Sequence, residues 1–355
     1  MWPHLATITV AVGRHTDRGG DTTTYDVHAH CIPDQLIDLL RDEGDRFGVE
    51  LVQGEKGESA LIAGRVRLAP FRPILGDLEA RLAAMDQAGI DVQLISSWVD
   101  LTAYALDAET GAAYSRRFNE ILAAEAAKHP DRLLALGTVP LQSPRHAADE
   151  LRHAVEDLGM MGTQIATTVD QTDLDQAGLD PFWEAAEALG CLVVIHPCNP
   201  LAGVDLSRNF LDNLVGRPAE SSVAVAHLLF SGVLERYPGL VLCTVHGGGF
   251  VPYQLGRLQR GFDAVPQLTA KNIGTPPTEL ARRLYYDTVL HDPDALSFLV
   301  RRVGADRVVV GTDYPFEMGD PDPVATVRGI PGLTDEERTL IFEGNVRRIL
   351  DGIRR

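Results

Sequence analysis

Short runs of apolar, often β-branched residues alternate along the chain with stretches rich in alanine, leucine and arginine. The runs predict eight strands, several of them apolar almost throughout, which is typical of parallel strands buried on both faces. These strands are Tyr25–His30, Val92–Ser97, Leu133–Pro140, Gly162–Ala166, Cys191–His196, Leu240–His246, Leu284–Leu290 and Arg307–Asp313. Helices are predicted between them at Leu78–Ala88, Tyr114–Lys128, Pro144–Leu158, Pro181–Leu189, Ala295–Val303 and Asp335–Leu350.

This alternation favours an α/β fold of the (β/α)8 TIM-barrel type. The rival is a doubly wound open sheet, which needs a glycine-rich turn after its first strand. Here the first predicted strand is followed by Cys31-Ile32-Pro33 instead. The barrel is therefore the preferred interpretation.

Two segments fall outside the alternation. Residues 1–22 are predicted to form a disordered N-terminal extension. Residues 23–355 are predicted to form a single barrel, because no linker or change of composition divides the chain. Within it, residues 42–73 carry two short runs, Val49–Gln53 and Ala60–Leu68, separated by glycine-rich turns. These predict a small β-hairpin, inserted after strand 1 as a lid over the barrel mouth.

Charge and composition exclude several classes of partner. With 32 basic and 50 acidic residues the formal net charge is −18, which argues against binding nucleic acid or an anionic membrane surface. No apolar run reaches the roughly 18 residues that a membrane span needs, and residues 1–20 lack the basic start of a signal peptide. The four cysteines form no CxxC pair. We therefore expect reduced thiols and a cytoplasmic protein.

Candidate chemistry concentrates at the carboxyl ends of the predicted strands. Of eleven histidines, four lie there, and an aspartate ends the last strand: His28, His30, His196, His246 and Asp313. Catalytic residues of (β/α)8 barrels come from this face, and the two histidines of a His-x-His segment point to the same side of a strand. Imidazoles with a carboxylate suit zinc, with iron, manganese and cobalt as alternatives. Among the other histidines, His227 is predicted to be a packing residue.

The arrangement of these residues along the chain resembles that of a known protein family. His-x-His on strand 1, histidines on strands 5 and 6 and aspartate on strand 8 are similar to the pattern of the amidohydrolase superfamily (amidohydrolase 2). Further phrases resemble its α-amino-β-carboxymuconate-ε-semialdehyde decarboxylase family, from about Tyr25 to the C-terminus. They are Phe71-Arg72-Pro73, Met85–Gln93, His196-Pro197, Leu214–Glu220, His246-Gly247-Gly248-Gly249, His291-Asp292-Pro293 and Gly311–Phe316.

The resemblance implies roles for individual residues. His28, His30, His196 and Asp313 would bind one divalent metal ion, zinc by preference, with water in the open position. His246 would be the acid/base that deprotonates this water, so that the catalytic residues are His246 and Asp313. Arg72 and Arg257 would hold the substrate carboxylate, which suits their planar, bidentate guanidinium groups. Arg257 would come from a neighbouring subunit, which implies a homodimer.

Binuclear members of the superfamily add a bridging carboxylated lysine or a glutamate at the end of strand 4. Strand 4 here reads Gly-Thr-Gln-Ile-Ala-Thr, and none of the three lysines, Lys56, Lys128 and Lys271, falls at a strand end. The sequence therefore favours a single metal ion. It departs from the decarboxylase pattern at Cys198 and Asn199, where that family has Trp-Asp, and at Asn213, where a tryptophan is expected.

The expected function is metal-dependent, non-oxidative decarboxylation of a small unsaturated or aromatic carboxylic acid. One alternative keeps the ligand set and changes the reaction, to hydrolysis or hydration of a small cyclic or unsaturated acid. Another is a metal-binding protein without enzyme activity, which an acid/base beside the metal argues against.

Overall fold

The structure of the protein is a computed structural model that describes residues 22–354 except 55–56, 64, 69, 103 and 199–202. Most of the predicted N-terminal extension and the departure at Asn199 therefore lie outside the described residues. All four cysteines are described, and none of them forms a disulfide with another. Among the described helices, none is long and apolar enough to cross a membrane.

Eight parallel strands form a closed barrel, which confirms the predicted fold. In chain order they are β1 (Tyr25–His30), β2 (Val92–Ser96), β3 (Leu133–Ala135), β4 (Gly162–Ala166), β5 (Leu192–His196), β6 (Val241–Thr244), β7 (Tyr285–Asp287) and β8 (Val308–Val309). A bridge between Gly137 and Thr163 joins β3 to β4. The Val27 N–H donates to the Val310 carbonyl at 2.9 Å and closes the ring between β1 and β8. Several strands are shorter than predicted, because the residues at their carboxyl ends turn into loops.

Helices surround the barrel. The longer ones are α1 (Asp34–Glu43), α2 (Leu78–Ala88), α3 (Ala108–Ala126), α4 (Pro144–Arg152), α5 (Asp180–Leu189), α6 (Arg217–Phe230), α7 (Val251–Ala264), α8 (Pro293–Val303) and α9 (Asn345–Asp351). Short helices occupy Val233–Arg236, Pro266–Thr269, Pro277–Leu280, Pro323–Arg328 and Asp335–Thr339.

Capping explains where α3 begins, six residues before the predicted start. The Asp107 carboxylate accepts the N–H groups of Glu109 and Thr110, so the first turn is stabilised ahead of the apolar run. The predicted helix Asp335–Leu350 is interrupted by a π-helical turn at Leu340–Gly344.

The inserted segment is a three-stranded antiparallel sheet of Val49–Gly54, Gly57–Ile62 and Arg65–Leu68. The predicted β-hairpin is confirmed by the antiparallel pairing of Val49–Gly54 with Gly57–Ile62, and a third strand extends it. The run Ala60–Leu68 is instead divided between two strands, because the chain turns at Ala63, whose φ is 48°. The sheet shares an apolar cluster with residues that directly follow β1 and β2, among them Ile32 and Leu101. It therefore lies against the carboxyl end of the barrel.

A β-bulge in β1 decides which of its side chains face inward. Pairing of β1 with β2 shifts register between Asp26 and Ala29. Tyr25 and Val27 belong to an apolar cluster built from alternate residues of the barrel strands. The bulge adds one residue to β1, so that His28 points to the barrel interior as Tyr25 and Val27 do. Bulges beside functional sites commonly redirect a side chain in this way.

Candidate metal centre

Five side chains predicted from the sequence converge at the carboxyl end of the barrel. His28 and His30 lie at the end of β1, and His196 is the last residue of β5. His246 follows β6, and Asp313 lies in the loop after β8. His28, His30, His196 and Asp313 are buried and His246 is half-buried. Separate strands thus bring together groups that are up to 285 residues apart in the sequence.

One ligand atom from each of His28, His196, His246 and Asp313 lies within 4.8 Å of the others. His30 borders this group, with its Nε2 3.1 Å from Asp313 Oδ1 and its ring centroid 5.0 Å from that of His196. The tightest grouping thus includes His246, although the family resemblance implies that His246 is an acid/base. It leaves His30 at its edge, although the resemblance implies that His30 is a metal ligand.

Three of the imidazoles are held from behind. His28 Nδ1 lies 2.7 Å from Asp287 Oδ2, His30 Nδ1 lies 3.2 Å from the Ser97 carbonyl, and His196 Nδ1 lies 2.8 Å from the Pro197 carbonyl. A carbonyl only accepts, so Nδ1 of His30 and His196 carries the proton and Nε2 presents a lone pair. Such outward hydrogen bonds fix the ring and tautomer of metal-binding histidines.

The donor set fits a divalent metal ion. Nε2 of His28 and Nε2 of His196 are buried and have no hydrogen-bond partner within the described part of the chain. Buried polar atoms are rarely left without a partner. Two such nitrogens beside a carboxylate are the arrangement that a bound cation satisfies.

Burial and neighbouring groups give two members of the set, His196 and Asp313, the protonation states that a metal requires. Burial, with the neighbouring imidazoles, holds the pKa of His196 well below its usual value, so this ring is neutral. Burial alone would raise the pKa of Asp313, but the adjacent imidazoles of His28, His246 and His30 hold it well below the usual range. Asp313 is therefore ionised.

Two of the site residues have an unfavourable backbone conformation. The φ angle is 53° at His246 and 58° at Asp313, in the left-handed region that side chains other than glycine rarely adopt. Such conformations cost about 1–3 kcal/mol each and persist where surrounding contacts enforce them. Strained residues are enriched at functional sites, and both of these positions belong to the cluster at the carboxyl end of the barrel.

The comparison with protein families bears on this site. The family model described as amidohydrolase matches residues 25–352, nearly the whole chain. The chain belongs to the amidohydrolase family.

Several curated and solved relatives of this amidohydrolase are decarboxylases. It is 29% identical over 325 residues to 2-amino-3-carboxymuconate-6-semialdehyde decarboxylase of Dictyostelium discoideum, covering 92% of this chain and 90% of the relative. It is 28% identical over 298 residues to gamma-resorcylate decarboxylase of Rhizobium sp. (strain MTP-10005), covering 77% and 88%. The crystal structure of 5-carboxyvanillate decarboxylase from Sphingomonas paucimobilis matches with a TM-score of 0.78 and 26% identity, covering 94% of this chain and 100% of that one.

Asp287, which the sequence pattern did not single out, contacts the imidazole cluster from behind. It is the last residue of β7 and fully buried. One carboxylate oxygen accepts from His28 Nδ1, and the other accepts the Gly247 N–H at 2.8 Å. A carboxylate at the end of an otherwise apolar strand was the available signal.

Among the described residues, neither of the two arginines predicted to bind substrate is hydrogen-bonded or ion-paired to the imidazole cluster. Arg72 forms a two-pronged ion pair with Glu317, with NH1–Oε2 at 3.0 Å and NH2–Oε1 at 2.8 Å. Glu317 lies four residues beyond Asp313, so the pair joins the end of the inserted sheet to the loop that carries this candidate ligand. Arg257 is exposed on α7.

Two departures from the decarboxylase pattern, Cys198 and Asn213, are among the described residues. Cys198 is half-buried, and its N–H donates to Glu220 Oε1 at 3.0 Å. Asn213 is half-buried in the turn before α6. Arg217, at the start of α6, donates to the Pro197 carbonyl at 2.7 Å, the same acceptor that holds His196.

The prediction that His227 packs in the core is wrong. Its side chain is 38% exposed and lies between Asp173 and Asp175. The apolar residues around it in the sequence belong to the buried face of α6, whereas His227 is on the partly exposed face.

Proposed function

We propose that this amidohydrolase is a metal-dependent, non-oxidative decarboxylase of a small aromatic or unsaturated carboxylic acid. The observation that carries the proposal is the cluster of inward-facing imidazoles around an ionised carboxylate, in which His246 is the least buried ring. The decarboxylases among its relatives support the reaction type. Hydrolysis or hydration of a small cyclic or unsaturated acid, with the same ligand set, is the second candidate.

His28, His30, His196 and Asp313 hold the metal ion in this proposal. The support is that Nδ1 of each of the three histidines is engaged by an acceptor behind it, which directs Nε2 inward. A single zinc ion suits three imidazoles and a carboxylate. When bound, such an ion supplies Lewis-acid chemistry, because it polarises substrate oxygens and acidifies water.

His246 is the general acid/base in this proposal. No partner engages its Nδ1 among the described residues, and its Nε2 lies 3.6 Å from Asp313 Oδ2. It is also the least buried of the four histidines, which suits a group that meets substrate. During decarboxylation the bond from carbon to the carboxylate breaks, and its electron pair stays on the ring or alkene carbon. A proton from His246 then forms the new C–H bond, while carbon dioxide leaves.

The first test is product analysis with the metal-loaded enzyme. The acids to supply are 2,6-dihydroxybenzoate, 5-carboxyvanillate and 2-amino-3-carboxymuconate semialdehyde. We expect carbon dioxide to be released from at least one of them, with a product that has lost the carboxylate. A product that has gained water and released no carbon dioxide would establish the second candidate instead.

The role of His246 predicts that its variants separate metal binding from turnover. His246→Ala should retain bound metal, because the three anchored histidines remain, and should lose roughly 10²–10⁴-fold in kcat. Metal analysis and steady-state kinetics check this. Loss of the metal together with the activity would instead place His246 among the ligands, in agreement with the tight grouping of its ring with His28, His196 and Asp313.

Arg72 binds the substrate carboxylate in this proposal, and Glu317 competes with it. The Glu317 carboxylate already uses both prongs of the guanidinium, so a substrate must displace it. Glu317→Gln should therefore lower KM, by up to about fivefold for an exposed ion pair, whereas Arg72→Gln should raise it. If Glu317→Gln raises KM instead, the pair serves to place Arg72.

Arg257 completes the site of a neighbouring subunit in this proposal, and the active form is a homodimer. Phe250 and Tyr253, at the start of α7, are 45% and 76% exposed, so an apolar surface adjoins Arg257. Such a patch is typical of an interface between subunits. Specific activity should fall on dilution in parallel with dissociation measured by sedimentation.

A further inference from the structure

A chain of buried polar side chains lies behind the candidate metal ligands, outside the barrel interior. It runs from Arg81 on α2 through Gln93 on β2 and Asp26 on β1 to Thr312, just before Asp313. Arg81 and Asp26 are both 0% exposed. None of the four has been assigned a role above.

Asp26 secures the β-bulge that directs His28 inward. The His28 N–H donates to Asp26 Oδ1 at 3.0 Å, within the stretch where the register of β1 shifts. The same carboxylate accepts the Thr312 hydroxyl at 2.6 Å and the Thr312 N–H at 3.1 Å. One carboxylate thus ties the backbone of His28 to the residue before Asp313.

Thr312 also holds the strained conformation of Asp313 from both sides. Its hydroxyl donates to Asp26 and accepts the Tyr314 N–H at 3.2 Å. Asp313, between these two residues, has a φ of 58°. A left-handed conformation persists only when its surroundings enforce it, and this hydroxyl is such a constraint.

Arg81 forms the other end of this chain of polar side chains. It donates to Gln93 Oε1 at 2.7 Å and to the His30 carbonyl at 2.6 Å, and Gln93 Nε2 donates to Asp26 Oδ2 at 2.8 Å. The guanidinium also lies 4.9 Å from the ring centroid of Tyr314. This chain of polar side chains therefore contacts the backbone of His28 and of His30, and it includes or contacts the residues on either side of Asp313.

A fully buried arginine and a fully buried aspartate each lose solvation, and well-formed hydrogen bonds are needed to recover that cost. An apolar contact between α2 and the barrel would stabilise the fold at least as well. The arrangement instead fixes the backbone at three ligand positions, two at the end of β1 and one in the loop after β8.

We propose that Arg81, Gln93, Asp26 and Thr312 are positioning residues that set the affinity of the site for its metal ion without contacting the ion. The inference rests on the metal site of the proposed function, and it is independent of substrate and of reaction type.

The test compares two threonines of the barrel. Thr312→Val removes the hydroxyl at nearly constant volume, and Thr312→Ser retains it. Thr244→Val is the matched control, because the Thr244 hydroxyl is buried and has no partner among the described residues. The dissociation constant for Zn²⁺ is measured by competition with a chromogenic chelator, and the melting temperature of the metal-free proteins is measured in parallel.

We expect Thr312→Val to weaken Zn²⁺ binding about tenfold, as for other residues behind metal ligands, and Thr312→Ser and Thr244→Val to bind as the wild type does. Equal affinity in all four proteins overturns the proposal, even if the melting temperature of Thr312→Val falls. Should Thr312→Val not fold, Arg81→Lys keeps the charge and cannot reach both acceptors, and it must show the same loss of affinity. Because no substrate is present, failure of the decarboxylase assay leaves this result standing.

Discussion

Two groups of histidine and carboxylate side chains in this protein have the composition of a metal site. One is His28, His196, His246 and Asp313 at the carboxyl end of the barrel, and the other is Asp173, Asp175 and His227 on its outer side. In the first, Nδ1 of His28 and of His196 is engaged by an acceptor behind the ring. In the second, His227 has a carboxylate at each nitrogen, with Nε2 3.4 Å from Asp173 and Nδ1 3.6 Å from Asp175.

The difference shows that residue types alone do not make a metal centre. A metal ion needs a nitrogen lone pair aimed at an open position, which an outward hydrogen bond on the other nitrogen provides. It also gains more from charges that water does not screen. The barrel group meets both conditions. The outer group offers a half-exposed ring whose two nitrogens are already directed at carboxylates, so we expect it to hold no tightly bound ion.

The largest expected effect comes from removing one histidine of each group. His196→Ala should weaken metal binding by more than the roughly 100-fold that loss of a residue behind a ligand can cost, and activity should disappear with the metal. His227→Ala should retain one tightly bound ion per chain. Metal content after gel filtration, by elemental analysis, checks both. Two tightly bound ions in the wild type, with one lost in His227→Ala, would show that the outer group also binds an ion tightly, against our expectation.

The next effect concerns the residue behind His28. Asp287→Asn should weaken metal binding by about 10- to 100-fold. One oxygen of Asp287 accepts from His28 and the other from Gly247. An amide must turn its NH₂ group toward one of these donors, and it lacks the negative charge that strengthens His28 as a ligand.

Asp175→Asn is the control for this change, because it alters a carboxylate beside the other histidine in the same way. Metal titration by calorimetry should give unchanged affinity for Asp175→Asn. Equal losses in the two variants would show that loss of negative charge anywhere on the chain accounts for the effect.

The sequence was sufficient to predict the barrel and most of its site. Alternating strands and helices indicate the fold, and polar residues at the ends of apolar strands indicate the chemistry, because both signals are local. The register of β1 is not local, since the bulge depends on a carboxylate of Asp26 that binds Thr312 from the opposite end of the chain. The pairing of Arg72 with Glu317 depends on two loops that meet only in the folded protein.

His227 shows why the role of a side chain was harder to predict than the secondary-structure element that carries it. The apolar residues near it correctly indicated a helix, but they line the buried face of α6, and the two aspartates beside His227 come from the loop after β4. Asp287 is the converse case. Its strand was predicted, and the importance of its carboxylate emerged only once His28 was placed against it.

The smallest expected effect is on stability in the outer group. The side chains of His227 and Asp173 are 38% and 33% exposed, and partly exposed ion pairs contribute only about 0–1 kcal/mol to stability. Asp173→Asn should therefore change the free energy of unfolding by less than about 1 kcal/mol and leave metal content and kcat unaltered. Urea denaturation of the metal-free and metal-loaded proteins measures this. A different result would be that added metal raises the free energy of unfolding less in Asp173→Asn than in the wild type. That result would mean that the outer group binds an ion and that partial exposure to solvent does not prevent it.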